Sequence, residues 1–341
     1  MSQVIRFGID LAKSVFHVHG VGASEEVLVQ KPLKRGEMLK FFARQPPALI
    51  GMEACGSAHY WARELRKLGQ EVRLMPPAYV KPYLKRGKND ARDAEAICEA
   101  VSRPTMRFVP IKSVERQCDL AIHKVRDLLI RQRTQLGNAV RGLLYEVGVT
   151  AAKGDGGLEM LLRKVEAASA DIAEKMAEMI MPMVEQFRAI DEQLSLLDKK
   201  IIRAVKANSN MRLLMTAPGV GPIGAHAMIA KIGDGRQFNC GRDLAAWIGL
   251  TRLNHNTGGV DRQTGHITRA GDKSLRRLLV LGARSWLRQV KAKPDKGSAW
   301  VNGVMDRRPA KVAEVAQAAK TARILWAMLQ SGKEYRAPAA A

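Results

Sequence analysis

The pattern of apolar residues changes at about Pro110, and different folds are predicted on either side of that point. Residues 4–21, VIRFGIDLAKSVFHVHGV, form two β-rich runs joined by a short turn, and VLVQKPL adds a third strand. These runs predict an antiparallel meander. Further strands are predicted at ALIGMEA, residues 48–54, and at EVRLM, with a helix between them that stops at Gly69. This order of strands and helices is the order of an RNase H-like fold.

Long helical patterns follow Pro110. The stretch SVERQCDLAIHKVRDLLIRQRTQLGNAVRGLLYEVG and residues 158–206 are separated by the glycine-rich break KGDGG, which predicts an antiparallel helical hairpin or coiled coil. In TAPGVGPIGAHAMIAKIGD, residues 216–234, the glycines resemble a helix-hairpin-helix turn that holds a phosphate, although a tight helix connection needs the same residues.

The predicted fold class is therefore α/β plus α, in three domains. Residues 1–110 form an RNase H-like domain, residues 111–208 a helical hairpin, and residues 209–335 a mainly helical C-terminal domain with the helix-hairpin-helix-like turn.

The charge of the chain favours a polyanionic partner. Its 56 basic residues against 33 acidic ones give a formal net charge of +23 and a pI near 10.2, which is typical of nucleic-acid-binding proteins. A basic surface that serves only solubility is the alternative. No apolar run approaches the roughly 20 residues that span a bilayer, and the N-terminus lacks the pattern of a signal peptide, so we expect a cytoplasmic protein without a membrane role. Its cysteines contain no C-x-x-C pair, which argues against a zinc ribbon.

Four acids fall at positions where they can converge. Asp10 ends the first strand in FGIDLAK, and Glu53 ends a later strand in GMEACG. Asp90 and Asp93 begin a helix in KNDARDAEAI, where their spacing places both carboxylates on one face. Carboxylate oxygens are the ligands that Mg²⁺ and Mn²⁺ prefer, and such ions assist phosphodiester transfer. For a single acid, a role in a turn or at a helix N-terminus is the simpler explanation.

The order FGIDLAK, MEACG and KNDARDAEAI resembles the DEDD-type, RuvC-like domain of a family of bacterial insertion-sequence transposases that also includes the Piv pilin-gene invertases. The stretch FNCGRDLAAWIGLTRLNHNTGGVDRQTGHITRAGDKSLRRLLVLGARSWL resembles the second domain of the same family. Together the resemblance covers about 320 residues.

The resemblance implies DNA strand exchange between donor and target DNA, guided by a structured RNA that the element encodes. It implies dimers that pair into tetramers, in a nucleoid-associated protein. Asp10, Glu53, Asp90 and Asp93 match the four acids that hold Mg²⁺ in that family. A serine before a glycine pair attacks DNA there and forms a covalent intermediate.

This chain departs from the family at that serine. The matching residues are Asn256, Thr257, Gly258 and Gly259, so Thr257 is the candidate nucleophile. Its hydroxyl can replace that of serine, although the extra methyl group crowds the attack. A nucleophile elsewhere and the loss of strand cleavage remain the alternatives.

Basic residues beyond the acids are candidates for phosphate contacts. The stretch GDKSLRRLLVLGARSWLRQVKAK predicts one helix with a cationic stripe, which suits a phosphate backbone better than base edges. A solvated face is the alternative for each candidate. The predicted nucleic-acid-binding residues are Arg126, Arg133, Arg252, Arg269, Lys273, Arg277, Arg284 and Arg288.

Two other functions fit parts of the sequence. A metal-dependent junction nuclease that uses water needs only the four acids, but it does not account for NTGG and the basic helix. A catalytically inactive nucleic-acid-binding relative would explain the missing serine, but it gains nothing from mutually repelling carboxylates.

Overall fold

The computed structural model describes residues 3–84, 90–257 and 260–337, with only the backbone described from 254 to 264. The chain divides into two compact units, Met1–Val114 and Glu115–Ala341. Among the described residues, no helix combines the length and the apolar character that crossing a bilayer requires.

The first unit contains a mixed five-stranded sheet in the order β3-β2-β1-β4-β5. Strand β1 pairs antiparallel with β2, which pairs antiparallel with β3, so the predicted meander is confirmed. On its other side β1 pairs parallel with β4, and β4 pairs parallel with β5. The strands are β1 (Arg6–Asp10), β2 (Val15–Val21), β3 (Val27–Lys34), β4 (Leu49–Glu53) and β5 (Glu71–Met75).

Helices in this unit cover the sheet through their apolar residues. Phe7 and Phe42 pack edge to face, as do Phe16 and Trp61, and all four rings are buried. Gly69, with a φ of 84°, follows the second helix and permits the left-handed turn into β5. The helices are α1 (Met38–Phe42), α2 (Ala58–Lys67), α3 (Pro77–Val80) and α4 (Asp90–Ala100).

The second unit begins with three helices that share a core: α5 (Val114–Glu146), α6 (Asp155–Glu166) and α7 (Glu174–Ala207). The prediction of one helix over residues 158–206 was wrong, because the chain leaves the helix between α6 and α7. Ala168 adopts a φ of 46° there, and the turn buries Ile172 against apolar residues of α6 such as Leu161. Burial of Ile172 therefore accompanies the break in the helix.

The rest of the unit is mostly helical, as predicted, but it contains an antiparallel β-hairpin that the sequence did not predict. One apolar core joins α8, α9, α10, α11 and α13, with α11 packed against α9 and α13, and a smaller apolar cluster packs α12 against α11 and α13. Its elements are α8 (Ser209–Leu214), α9 (Pro222–Ile232), α10 (Gly241–Ile248), β6 (Arg252–Thr257), β7 (Val260–Ile267), α11 (Lys273–Ala292), α12 (Ala299–Arg307) and α13 (Ala310–Ser331).

Candidate functional site

Four acidic residues lie at one edge of the sheet in the first unit. Asp10 is the last residue of β1 and Glu53 the last residue of β4. Because these two strands are parallel neighbours, their carboxyl ends meet at the same edge. Asp90 and Asp93 lie in the first turn of α4, which packs on β1, β2 and β4. The strand pairing and the helix position together bring the acids to one place.

Two glycines allow α4 to lie close to the sheet. A Cβ atom on Gly8 of β1 would lie 2.1 Å from the carbonyl oxygen of Ala94 and 2.4 Å from the amide nitrogen of Cys98. A Cβ atom on Gly51 of β4 would lie 2.8 Å from the Cβ atom of Val101. Side chains at these positions would push the helix away, so the glycines set the distance between the acids of α4 and those of the strands.

The carboxylates interact with one another. One oxygen from each of Asp10, Asp90 and Asp93 lies within 4.8 Å of the other two. Burial raises the pKa of Asp10, and the carboxylates of Asp93 and Asp90 raise it further. Burial also raises the pKa of Glu53, and Asp10 and Asp93 add to that shift. All four acids therefore belong to one electrostatic cluster, in which the charged forms of Asp10 and Glu53 are disfavoured in the absence of a cation.

His17 is a member of this site that the sequence analysis missed. It pairs with Asp10 across β1 and β2, and its Nδ1 atom lies 3.9 Å from Oδ2 of Asp90. That nitrogen is buried and has no hydrogen-bond partner. The predicted turn at residues 11–14 gave no signal of this, because it would place residue 15 opposite residue 10, whereas the observed register places His17 there. His17 therefore presents an unsatisfied ring nitrogen beside the carboxylates.

The donor set fits a divalent metal ion. Carboxylate oxygens within 4.8 Å of one another are hard ligands at a spacing that one cation can bridge, and a cation would offset the repulsion that raises the pKa values. Asp10, Asp90 and Asp93 would supply the nearest oxygens, with Glu53 beside them.

The chain matches known proteins along almost its whole length. Residues 7–148 match the DEDD-type IS110 transposase family, and residues 211–296 match the family described as Transposase IS116/IS110/IS902. It is 48% identical to "Putative transposase y4pF/y4sB" of Sinorhizobium fredii over 98% of this chain and 87% of the relative. It is 47% identical to "Probable family 20 transposase" of Pseudomonas aeruginosa over 97% and 98%. The transposase for insertion sequence element IS1111A of Coxiella burnetii is 37% identical over 98% and 92%.

This chain belongs to the IS110/IS116 family of transposases. The family predicted from the residues is confirmed, and so is the enzyme class, because transposases cut DNA and transfer its strands. A DEDD transposase uses a divalent metal, in agreement with the acidic cluster.

The candidate nucleophile of this IS110/IS116 transposase, Thr257, is the last residue of β6. Its backbone pairs with Val260, the first residue of β7. The threonine side chain and the two glycines that follow lie outside what the structure describes. The structure thus places this position at the end of a β-hairpin in the second unit, and the role of its hydroxyl remains a prediction.

The predicted phosphate-binding arginines of α5 are engaged within the second unit. Arg126 donates to both carboxylate oxygens of Asp198, at 2.6 and 3.3 Å. Arg133 pairs with Asp191 and Asp155 and lies over the ring of Phe187. Both guanidinium groups bond α5 to α7, so fewer of their N–H donors are available to a phosphate. Their nucleic-acid role remains a prediction.

The predicted cations of α11 divide into two groups. Arg277 pairs with Asp127, and Arg284 makes two hydrogen bonds of 3.0 Å to Glu314. Lys273 and Arg288 are exposed and show no ion pair among the described residues. Arg252, the first residue of β6, and Arg269, which follows β7, are exposed as well. On α11, Lys273 and Arg288 are therefore the stronger candidates for contact with DNA.

Proposed function

We propose that this transposase exchanges strands between donor and target DNA under the guidance of an RNA encoded by its element, through a covalent bond between DNA and a protein hydroxyl. The observation that carries the proposal is the convergence of Asp10, Asp90 and Asp93 beside Glu53, together with the raised pKa values of Asp10 and Glu53. The strand order β3-β2-β1-β4-β5 supports an RNase H-like domain around this cluster.

The proposed metal is Mg²⁺, with Mn²⁺ as a substitute. When bound, such an ion stabilises the charge that develops on oxygens around the reacting phosphorus. The carboxylates of Asp10, Asp90 and Asp93 would hold it, and Glu53 would offer a further oxygen at the end of the adjacent strand. The ring of His17 on β2 lies beside Asp90 and borders the cluster. Removal of any of the four acids is expected to abolish strand cleavage.

Thr257 is the proposed nucleophile. Its Oγ1 atom forms a bond to the phosphorus of the scissile phosphodiester while the bond from phosphorus to a sugar oxygen breaks. The hydroxyl proton is lost, and the leaving sugar oxygen gains one. A hydroxyl of the incoming strand then attacks the same phosphorus and releases threonine with its hydroxyl restored. One phosphodiester is thus exchanged for another without an external energy source.

The protein also binds a guide RNA and assembles into tetramers in this proposal. A net charge of +23 suits a complex with two kinds of nucleic acid, and aromatic residues make up only 5% of the chain. RNA is therefore held mainly through its shape and phosphates rather than by stacking of many bases. The helices α5 and α7 form the proposed coiled-coil region, where homodimers meet and then pair into tetramers.

A trapping assay tests the chemistry. Purified protein is incubated with element RNA, labelled donor and target DNA and Mg²⁺, and the products are separated on a denaturing gel. We expect a protein–DNA adduct with the wild-type protein and with Thr257→Ser, which keeps the hydroxyl. The adduct is expected to vanish with Thr257→Ala, with Asp10→Ala and when the RNA is omitted.

Other outcomes of the trapping assay would indicate a different chemistry. Cleavage without an adduct would indicate a nuclease that uses water. An adduct with Thr257→Ala would locate the nucleophile elsewhere, and binding with neither cleavage nor adduct would indicate an inactive relative. An adduct that forms without RNA would remove RNA guidance and leave the covalent chemistry in place.

A further inference from the structure

A cleft of about 590 Å³ with both polar and apolar lining opens in the second unit, between the loop before α9 and the helices α11 and α13. This volume lies within the range that holds small-molecule and nucleotide-sized ligands, roughly 300–1,000 Å³. It contains none of the four acids or the candidate nucleophile. The cleft is therefore a site without a role in the proposed strand exchange.

One wall of the cleft is the glycine-rich loop that leads into α9. Gly219 has a φ of 75°, and a Cβ atom there would lie 2.5 Å from the carbonyl oxygen of Gly282 on α11. The loop therefore packs directly against the backbone of α11, and only glycine at position 219 allows this close approach. Gly221 lines the cleft as the N-cap residue of α9 and has no side chain to cap the helix, so the positive end of the dipole of this 11-residue helix lies beside the cleft.

The charge of the lining favours an anion. Lys296 and Lys320 line the cleft, and none of the described residues that line it is acidic. The Lys320 ammonium lies 4.0 Å from the ring centre of Trp300, a residue next to the cleft but not part of its lining. Burial lowers the pKa of Lys320, and the neighbouring Arg323 lowers it further. A bound anion would therefore stabilise the charged form of this side chain.

The inner wall of the cleft contains a polar group that lacks a partner. Gln317 on α13 is 3% exposed, and its Nε2 atom donates to Oγ1 of Thr321 at 3.1 Å. Its Oε1 atom is buried and has no hydrogen-bond partner. Such an atom costs free energy unless a ligand or water supplies a donor. The rings of Trp286 and Tyr335 also line the cleft, so a flat group that carries an N–H donor matches both features.

We propose that this cleft binds one unpaired nucleotide of a DNA or RNA strand. The phosphate lies at the glycine loop and the two lysines, while the base lies against the aromatic rings and donates an N–H hydrogen bond to Oε1 of Gln317. An extruded base of this kind is read by hydrogen bonds to its edge and by stacking. The inference does not require RNA guidance or a covalent intermediate, because it concerns binding alone.

The test is a binding experiment with the full-length protein in EDTA, where no strand is cut. The probes are single strands of about 15 nucleotides, one DNA and one RNA, each with a central 2-aminopurine, and the same strands with an abasic site at that position. We expect the protein to quench the fluorescence of 2-aminopurine. Gln317→Leu should weaken binding of the base-containing probe by about 3- to 10-fold, the value of one hydrogen bond, and leave the abasic probe unaffected.

A second variant tests the phosphate end of the cleft. Lys320→Met should weaken binding of both the base-containing and the abasic probe, and lower the salt slope by about 1. Gln330→Leu and Lys311→Met are the matched controls, because both residues are exposed on the same helix outside the cleft. Quenching of the DNA or of the RNA probe alone would identify the strand that supplies the nucleotide.

The proposal is overturned if neither probe is quenched, or if both cleft variants bind like their controls. Equal loss of affinity with Gln317→Leu for base-containing and abasic probes would also overturn it, because the amide would then have no contact with a base. Failure of the trapping assay would leave these outcomes unchanged, since the binding assay needs no cleavage.

Discussion

The thermal stability of an Asp93 variant distinguishes two roles of this carboxylate: membership of the acidic cluster and stabilisation of a helix N-terminus. Its carboxylate contributes to the raised pKa of both Asp10 and Glu53. A carboxyl with a raised folded-state pKa contributes stability below its ordinary pKa and loses it as the pH rises through the raised value. At neutral pH without metal the cluster therefore destabilises the unit, and Asp93→Asn should raise the melting temperature by a few degrees in EDTA.

The control for this variant is Glu99→Gln on the same helix, where Glu99 pairs with Arg103 at the surface. Loss of an exposed pair is worth about 1 kcal/mol at most, so this variant should melt at or slightly below the wild-type temperature. If Asp93→Asn melted lower in EDTA, Asp93 would act through the helix dipole, and the electrostatic account of the cluster would be wrong.

Metal affinity should depend on pH in a direction that the pKa shifts fix. Since Asp10 and Glu53 hold their protons to a higher pH than free carboxyls, protons compete with the metal as the pH falls toward their raised pKa values. The Kd for Mn²⁺, measured by titration calorimetry, should increase on acidification by up to about tenfold per pH unit for each proton displaced. An affinity that is flat across the mildly acidic range would mean that these carboxyls do not bind the ion.

The sequence predicted much of this site, but not all of it. Asp10 and Glu53 each end a strand, and the parallel pairing of β1 with β4 follows from the predicted order of elements. The distance of Asp90 and Asp93 from those strands depends on Gly8 and Gly51, whose role appears only when the helix is in place. His17 was missed because a single histidine in a strand carries no motif, and its position follows from the pairing register alone.

At the scale of elements, Gly8 controls how closely α4 approaches the sheet. In Gly8→Ala the new methyl group would lie 2.1 Å from the carbonyl oxygen of Ala94, so the helix must move and carry Asp90 and Asp93 with it. We expect a loss of about 1–3 kcal/mol in stability, the range for overpacking, together with weaker Mn²⁺ binding. Thermal melts with and without the metal measure both effects.

Gly36→Ala is the matched control, because a Cβ atom at Gly36 meets nothing within 4 Å. It should keep the wild-type affinity for Mn²⁺. Normal metal binding by Gly8→Ala would show that the position of α4 is not what assembles the site.

A buried histidine pair joins α5 to α9 and should make the second unit sensitive to acid. Nε2 of His123 lies 2.8 Å from Nδ1 of His226, whose Nε2 lies 3.5 Å from Asp119. Burial, then His226 and Lys231, lower the pKa of His123 to about 4, and burial lowers that of His226.

The His123 ring therefore stays neutral in the folded protein down to about pH 4, whereas in the unfolded chain it takes up a proton below pH 6.5. Because the unfolded state binds more protons in that window, stability falls as the pH drops, by up to about 1.4 kcal/mol per pH unit for this ring, and the lowered pKa of His226 acts in the same direction. Denaturant unfolding followed across this range measures the slope. His123→Gln should flatten it, while His266→Gln, at an exposed position, should not. Equal slopes in both variants would exclude the pair as the cause.

The helical elements show where patterns in a sequence lose their predictive power. Apolar residues at helical spacing correctly predicted α5 and α11. The same spacing continues through residues 158–206, yet the chain breaks after α6 because Ile172 gains burial when it turns back onto that helix. A tertiary contact of this kind leaves no local signal. The hairpin of β6 and β7 was missed for a related reason, since its strands are polar and lack the alternation that indicates a half-buried strand.

Across the whole molecule, a net charge of +23 predicts that the affinity for DNA falls steeply as the salt concentration rises. The cationic side chains differ, however, in whether they are free to contact a phosphate. The paired arginines of α11 form ion pairs within the protein. Lys273, Arg288 and Lys291 of the same helix are exposed and have no ion pair among the described residues. Changing these three residues to Met should lower the slope of log K against log salt by roughly 2–3 for duplex DNA, because up to three phosphate contacts are lost. Fluorescence anisotropy in EDTA measures that slope.

The control removes the same charge from Lys40, Lys175 and Lys311, which are exposed on three other helices. If phosphate contacts are local to α11, this variant keeps nearly the wild-type slope, because it lowers the net charge equally but leaves every cation of α11 in place. If both triple variants lower the slope equally, net charge alone attracts the DNA, and α11 is a solvated face. The comparison therefore decides whether the cationic stripe is a binding surface or only a part of the overall charge.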